Sequence, residues 1–357
     1  MPEPLLNVQP EVRLIITDLD GTLLNTQHAI SPRTEKALRD AIAAGVNVVF
    51  ATGKTRYSAQ SLIKALSLTT PGIYVQGVVT YNGDGSIRNQ QLLDTALVRR
   101  ILTYVQERGF DALIYSGSRI LSRRKSEWSD LVERYGEPAA EITHDLYQKL
   151  PDISINKLCI GGEESRIRAL VWQINKQFQG QVAVTRANVE GMMEILPPGF
   201  SKGKGVRALV HDLGIEPKYV MAIGDGENDI DMLKAVGVPV AVNNAHPSLK
   251  QVAKYIVASN DDDGVAEAIE RFVLKIPKVE TPVLQASVVI DATTPENAST
   301  AQTGTETPPA VSDAVEQAAA TDLLIVVSLE TLEVQSLAKS APPHEADQTP
   351  PVAPKED

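Results

Sequence analysis

The sequence is poor in cysteine and has no long apolar run. A single cysteine, Cys159, excludes an internal disulfide and a zinc site made of several cysteines. No apolar stretch approaches the roughly 18 residues that cross a bilayer. Residues 1–10 also lack the basic and apolar regions of a secretory signal. These absences predict a soluble, cytoplasmic protein that has no membrane partner.

Basic charge is also scarce. The formal net charge is −11, and the segment from Ile276 onward holds 13 acidic residues against 3 basic ones. That segment therefore carries −10, and the 275 residues before it carry −1. A body this close to neutral gives no indication of a nucleic-acid partner.

The acidic segment 276–357 differs in composition from the rest of the chain. It is rich in Thr, Pro, Ala, Glu and Ser, and it offers too little apolar surface to offset the entropy of an ordered chain. We predict a disordered tail whose partner is unknown. Two short apolar stretches, 288–290 and 323–327, are alternatively docking segments, although a loose tail is the favoured interpretation.

The first part of the body alternates short apolar strands with amphipathic helices. Strands are predicted at 13–17, 46–51 and 73–79, with helices near 32–44 and 58–66 between them. This alternation is typical of βαβ units in a parallel sheet.

The alternation becomes irregular after the turn-rich segment 82–85 and resumes at Ser201. The pattern predicts one α/β domain made of residues 1–83 and 197–275. An α+β domain, residues 84–196, is predicted to be inserted into it.

Two carboxylates follow the first predicted strand in the segment Asp18-Leu-Asp-Gly-Thr22. Residues two apart leave a strand on the same side, so Asp18 and Asp20 can share a pocket. The carboxyl ends of parallel strands are where open α/β sheets bind ligands. The two carboxylates repel each other, so a divalent cation is their natural third partner. The alternative is a solvated acidic turn, which this context after a buried strand disfavours.

Two further segments offer groups that bind anions. Thr52 and Gly53 follow the second strand, where a hydroxyl and the backbone N–H groups of a following helix suit phosphate. Lys202 stands at the start of a predicted helix, where its ammonium can meet phosphate charge. A plain turn and a solvated lysine remain the alternatives for each segment taken alone.

The segment Gly224-Asp-Gly-Glu-Asn-Asp229 follows another apolar strand. Asp225 can complete the oxygen shell of a cation, and Asp229 can order that shell or pair with the lysine. Acidic residues are also common at helix starts for capping reasons. The recurrence of polar segments at four such positions makes coincidence a poor explanation.

These four segments, in this order, resemble the four signature motifs of the haloacid dehalogenase-like (HAD) phosphatases. The insertion between the second and third motifs resembles the type IIB cap domain of the Cof-like subfamily, and the resemblance covers about residues 12–274. It implies a Rossmann-like HAD core with a parallel sheet and an inserted α+β cap. Smaller segments similar to Cof-like members are Asn82-Gly83, Met193-Glu-Ile195, Asp231-Met-Leu233, Asn244-Ala245 and Asp263-Gly-Val265.

The resemblance implies a role for each carboxylate. Asp18 is expected to attack phosphorus and form an aspartyl-phosphate. Asp20 is expected to protonate the leaving alkoxide and then to deprotonate the attacking water. The cofactor is expected to be Mg²⁺, bound by the Asp18 carboxylate, the Asp20 backbone carbonyl and Asp225.

The resemblance also implies the phosphate site. Thr52, Lys202 and Asn228 are expected to hold the phosphoryl oxygens. Supporting positions are expected at Asp229, Gly53 and Asn82.

Two departures from the family pattern lie outside this reaction core. Lys54 stands where many Cof-like proteins have arginine, and Asn243 replaces a glycine. Cap residues are expected to select the substrate, but a solvated face is the favoured interpretation for each candidate. These candidates are Tyr115, Arg119, Arg123 and Arg124.

The leading functional hypothesis is a Mg²⁺-dependent phosphatase that acts on a small phosphorylated metabolite. A sugar phosphate, a nucleotide and a flavin- or pyridoxal-type phosphate are all compatible with the motifs. One alternative is a phosphomutase of the phosphomannomutase type. A second is a non-catalytic regulator that uses the HAD body as a scaffold and binds through its acidic tail.

Overall fold

A computed structural model of the chain describes residues 11–187 and 189–275. The predicted tail, 276–357, lies outside the described residues. The described strands are, in chain order, β1 (Leu14–Thr17), β2 (Asn47–Phe50), β3 (Gly72–Tyr74), β4 (Val79–Tyr81), β5 (Ile87–Gln90), β6 (Asp111–Ser116), β7 (Arg119–Ser122), β8 (Glu141–Ile142), β9 (Lys157–Gly161), β10 (Ala183–Arg186), β11 (Met192–Leu196), β12 (Val220–Gly224), β13 (Val238–Val242) and β14 (Tyr255–Val257).

The helices alternate with these strands at both ends of the described chain. They are α1 (Pro32–Ala43), α2 (Gln60–Ala65), α3 (Thr95–Gln106), α4 (Glu127–Arg134), α5 (Leu146–Lys149), α6 (Glu164–Gln177), α7 (Lys202–Asp212), α8 (Ile230–Leu233), α9 (Pro247–Val252) and α10 (Gly264–Phe272). Short 3₁₀ turns cover Leu150–Asp152, Pro217–Tyr219 and Glu227–Asp229. Among the described residues, no helix is both long enough and apolar enough to cross a membrane.

The core sheet is parallel, as predicted, with the strand order β14-β13-β12-β1-β2. Every residue of β1 is buried, because both faces of a parallel sheet are covered. Strand β1 lies between β12 and β2, with Thr17 opposite both Ile223 and Phe50. The three strands therefore end at the same edge of the sheet, and the segments that follow them meet there.

A second, mixed sheet has the order β10-β11-β9-β6-β7-β8. One of its faces packs against α3 and α6 in a separate apolar cluster. Side chains of the other face, among them Tyr115, Cys159 and Met192, join the apolar cluster of the core sheet. All strands of this sheet lie within 84–196, the range predicted for the inserted domain, whose exact boundaries stay a prediction.

The predicted single strand 73–79 is wrong, because the chain forms a hairpin there instead. Strands β3 and β4 pair antiparallel, with Tyr74 opposite Val79. The turn between them places Val75 at φ 54°, Gln76 at φ 59° and Gly77 at φ 88°. Apolar side chains on both sides of the turn hid this reversal from the hydrophobic pattern.

Helix α2 runs from Gln60 to Ala65, which lies within its predicted range of 58–66. The backbone N–H groups directly after Thr52 were expected at a helix start, but turns occupy the residues between Thr52 and Gln60. Helix α1 agrees closely with its prediction, since the Ser31 side chain accepts a hydrogen bond from the Thr34 backbone N–H.

Candidate active site

Three carboxylates converge at the edge of the core sheet. Asp18 follows β1, Asp225 follows β12, and Asp229 ends the next 3₁₀ turn. One carboxylate oxygen from each lies within 4.8 Å of the others. Asp18 and Asp229 are buried, so neither charge is screened by water.

Lys202 supplies one positive charge to this cluster. Its side chain is fully buried, and Nζ lies 2.6 Å from Asp229 Oδ1 and 3.0 Å from Asp18 Oδ2. The lysine is the first residue of α7, whose start is capped by the Ser201 hydroxyl. One ammonium against three carboxylates leaves a formal excess of two negative charges.

The pKa values of Asp18 and Asp225 are both raised in this cluster. Burial raises the pKa of Asp18 well above its ordinary value, and the charges of Asp229 and Asp225 add to the rise against the opposing effect of Lys202. Burial likewise raises the pKa of Asp225 to about 6, although the Thr22 hydroxyl opposes the shift. A bound cation would stabilise the ionised form of both carboxyl groups and so lower both pKa values.

The cluster fits a divalent cation in its donor chemistry and in its shape. Carboxylate oxygens are the ligands that hard cations prefer. Gly21 lies at φ +76°, and a Cβ there would come within 2.4 Å of Asp225 Oδ2, so glycine keeps this side of the cluster open. The Thr22 hydroxyl donates to Asp225 Oδ1 at 2.7 Å and fixes the carboxylate in place.

The second predicted segment borders the same cluster. Thr52 is buried, and its hydroxyl accepts a hydrogen bond from the Lys54 backbone N–H at 3.2 Å. A Cβ on Gly53 would come within 2.5 Å of Gln76 Nε2, so any other residue at this position would displace that amide. Lys54 Nζ lies 2.7 Å from Asp20 Oδ1 and donates to the Tyr135 carbonyl at 2.6 Å.

A cavity of about 870 Å³ lies between the core sheet and the second sheet. This volume is within the roughly 300–1,000 Å³ that is typical of small-molecule sites. Asp18, Asp20, Thr52 and Asp225 line its core side. Its opposite side carries polar residues as well as apolar ones, among them Leu131, Val132, Val171, Val184, Val189 and Met192.

Residues 15–269 match the family model of the haloacid dehalogenase-like hydrolases. The chain belongs to this family. The predicted resemblance is thereby confirmed, and with it the fold of a parallel HAD core with a mixed-sheet cap. We use the name cap domain below for the part of this HAD-like hydrolase that carries β6 to β11.

The chain is also similar to proteins of known name, which it covers to different extents. The chain is 36% identical over 278 residues to the chloroplastic endoribonuclease YBEY of Arabidopsis thaliana, covering 74% of this chain but about half (47%) of that protein. It is 30% identical over 262 residues to the phosphoglycolate phosphatase of Methanothermobacter thermautotrophicus, covering 73% of this chain and 99% of that one.

A crystal structure of a haloacid dehalogenase-like hydrolase from Bacteroides thetaiotaomicron superposes with a TM-score of 0.67 at 29% identity. The superposition covers 73% of this chain and 99% of that one.

Most of the predicted site residues of this HAD-like hydrolase meet at the cavity. Besides the four core residues named above, Gly53 and Asn228 line it. Lys202 and Asp229 are buried among the same carboxylates. Asn82 does not line the cavity, because its side chain bonds Ser86 in the turn between β4 and β5.

Among the substrate candidates, the cavity receives Tyr115 but none of the three arginines. Arg119 pairs with Glu141, and Arg124 pairs with Asp111, both on exposed surface. This agrees with the favoured interpretation for the arginines and corrects it for Tyr115, which is buried.

Sequence reasoning assigned no role in the site to four buried polar residues of the cavity wall. They are Gln76, Glu137, Lys157 and Glu194. Each is at least nine-tenths buried, and each stands in or beside an apolar segment. A charged residue inside a buried strand, such as Glu194 in β11, was the signal that could have found them.

Proposed function

We propose that this HAD-like hydrolase is a Mg²⁺-dependent phosphatase that acts on a small phosphorylated metabolite through an aspartyl-phosphate on Asp18. The observation that carries the proposal is the cluster of three carboxylates and Lys202 beside a cavity of small-molecule size. A relative named as a phosphatase, matched over 99% of its length, supports the reaction class.

The first half of the reaction uses Asp18 and Asp20. An Asp18 oxygen attacks phosphorus, so that an O–P bond forms and the bond from phosphorus to the substrate oxygen breaks. Asp20, in its protonated form, gives a proton to the leaving alkoxide. The Leu19 backbone N–H donates to Asp18 Oδ1 at 2.8 Å and holds the attacking carboxylate in one orientation.

The second half of the reaction returns Asp18 to its starting state. Asp20, now a carboxylate, takes a proton from water, whose oxygen bonds to phosphorus while the Asp18 O–P bond breaks. Thr52, Lys202 and Asn228 hold the phosphoryl oxygens in both halves. Lys202 keeps its charge for this task, because Asp18 and Asp229 raise its pKa against the opposing effect of burial.

Asp18, Asp225 and the Asp20 backbone carbonyl would hold the metal ion, with Asp229 supporting them. When bound, the ion neutralises charge on the phosphoryl oxygens and offsets the repulsion among the carboxylates. Oxygen donors alone favour Mg²⁺ over softer ions.

Removing the metal should abolish most of the activity. We expect hydrolysis of p-nitrophenyl phosphate to fall at least about 10-fold after treatment with EDTA and to return with added Mg²⁺. Because burial raises the pKa of Asp225 to about 6, protons compete with the ion below that pH. Half-maximal activity should therefore need more Mg²⁺ at pH 5.5 than at pH 7.5. Full activity after exhaustive chelation would contradict the metal assignment.

Asp20→Asn should separate the two halves of the reaction. An aryl leaving group needs little protonation, so the first turnover of p-nitrophenyl phosphate should slow by less than about 10-fold. That of an alkyl phosphate should slow by about 10²- to 10⁴-fold. Rapid-mixing measurements should then show a burst of nitrophenol, because the base for the second half is missing. Equal losses in the first turnover of both substrates would show that Asp20 is not the general acid.

A further inference from the structure

The cap domain buries an ion pair in the cavity wall. Lys157 on β9 and Glu194 on β11 lie 2.7 Å apart (Nζ to Oε1), with side chains 2% and 6% exposed. Burial lowers the pKa of Lys157, but Cys159 and Glu194 raise it, and the net shift is upward. Lys157 therefore keeps its positive charge inside the cavity.

The pair is joined to the core segment that follows β2, where we propose that Thr52 binds phosphate. Lys157 Nζ donates to the Gly53 carbonyl at 2.9 Å, next to Thr52. Gln76 Nε2 donates to Glu194 Oε2 at 2.8 Å, and Asn228 Nδ2 donates to Gln76 Oε1 at 3.1 Å. A carboxylate only accepts, so Glu194 sets the orientation of the Gln76 amide, and Gln76 sets that of Asn228.

Lys157, Glu194 and Asn228 each have a hydrogen-bond donor or acceptor that no protein group in the described part of the chain uses. Among the described residues, Lys157 donates to two oxygens, which leaves one of its three N–H groups without an oxygen partner and near the Tyr115 ring. Each Glu194 oxygen accepts one hydrogen bond and has a second lone pair. Within residues 11–275, apart from residue 188, Asn228 Oδ1 is buried without any partner.

A purely structural role does not account for this arrangement. A buried ion pair contributes little net stability, and apolar side chains of similar volume often do as well or better. The hairpin turn that presents Gln76 also keeps Val75 and Gln76 at positive φ, a conformation that costs free energy for residues other than glycine. Strain of this kind persists where a side chain must be held in a functional position.

We propose that Lys157, Glu194 and Gln76 form a hydroxyl-binding wall that selects phosphate esters of hydroxylated carbon chains. A substrate hydroxyl can accept a hydrogen bond from Lys157 and donate one to Glu194 at the same time. The unused donor of Lys157 and the unused acceptors of Glu194 do not together match a charged group. Glu194 repels a second anionic group, and Lys157 repels an ammonium. The wall adjoins Gly53, so the hydroxyls that it binds are those near the phosphate ester. This inference rests on the proposed phosphatase function.

A matched pair of substrates tests the wall in the full-length protein loaded with Mg²⁺. D-Sorbitol 6-phosphate and n-hexyl phosphate have the same number of carbons and differ in hydroxyls. We expect kcat/KM to be at least about 10-fold higher for the sorbitol ester, the effect of one hydrogen bond to a charged group. Equal kcat/KM values for the two esters would overturn the proposal that this wall binds hydroxyls. A protein inactive even on p-nitrophenyl phosphate would instead contradict the phosphatase function on which the wall rests.

Variants then assign the preference to these residues. The double variant Lys157→Met/Glu194→Met removes both charges together, which avoids an unpaired buried charge. Glu194→Gln is a second variant that keeps the shape of the side chain. We expect each to lower the ratio of kcat/KM for the two esters to within about 3-fold of unity. A ratio that stays at its wild-type value in the variant that folds would overturn the proposal.

Glu137→Gln is the matched control. This buried cap glutamate accepts hydrogen bonds from the Thr55 hydroxyl at 2.6 Å and the Ser58 hydroxyl at 2.7 Å, and so it joins the cap to the core. Loosening that contact should change kcat/KM for both esters by the same factor, with a ratio within about 2-fold of the wild-type value. A ratio that collapses here as well would contradict the assignment of the preference to Lys157 and Glu194.

Discussion

Asp18→Asn should lower phosphatase turnover by at least about 10³-fold while the protein stays folded. An amide cannot attack phosphorus, yet it fills nearly the same space as the carboxylate. The melting temperature at pH 7 should be equal to that of the wild type or higher. Assays on p-nitrophenyl phosphate and thermal unfolding curves would measure the two effects.

The stability half of this prediction follows from the sign of the pKa shift. The pKa of Asp18 is raised in the folded state, so at pH 7 the ionised carboxyl opposes folding. Replacing it by a neutral amide removes that cost, and Lys202 keeps Asp229 as its partner. Asp40→Asn is a suitable control, because its carboxylate is exposed on α1 and should affect neither turnover nor melting. Turnover within 10-fold of wild type would exclude Asp18 as the nucleophile.

Lys202→Met should be the most damaging substitution for stability. It leaves Asp18 and Asp229 buried without the ammonium that lies 3.0 Å and 2.6 Å from them. Breaking such a buried pair costs about 3–5 kcal/mol, or roughly 6–20 °C in melting temperature for a body of this size. Turnover should also fall by at least about 10²-fold, because the phosphoryl group loses a positive partner.

Two comparisons make this prediction specific. Lys36→Met removes an exposed lysine from α1 and should change the free energy of unfolding by less than about 1 kcal/mol. The loss in Lys202→Met should shrink when the pH is lowered from 8 to 5, because a carboxyl with a raised pKa takes up a proton and no longer needs a partner. A loss that is small, or that grows on acidification, would contradict the role assigned to Lys202.

The sequence alone determined the local part of the site. Asp18, Asp225 and Lys202 each stand at the end of a strand or the start of a helix, and such positions follow from apolar runs and helix caps. Their order along the chain carried the resemblance to the HAD phosphatases, and the family match confirms it. The predictions were weakest at the turn around Gln76, because a reversal with apolar residues on both sides looks like one continuous strand.

Only the tertiary structure decided which residues meet. The Thr22 hydroxyl binds Asp225, 203 residues further along the chain, because β1 and β12 are neighbours in the sheet, and a hydrophobic pattern carries no information on strand order. The antiparallel register of β9 and β11 likewise brings Lys157 beside Glu194 and turns both toward the core. Arg119 and Arg124 had the charge expected of substrate-binding residues, but they pair on the outer surface. Side-chain type and local pattern thus determined the chemistry of the core, whereas the wall of the cavity in the cap domain depends on long-range pairing, which no local segment encodes.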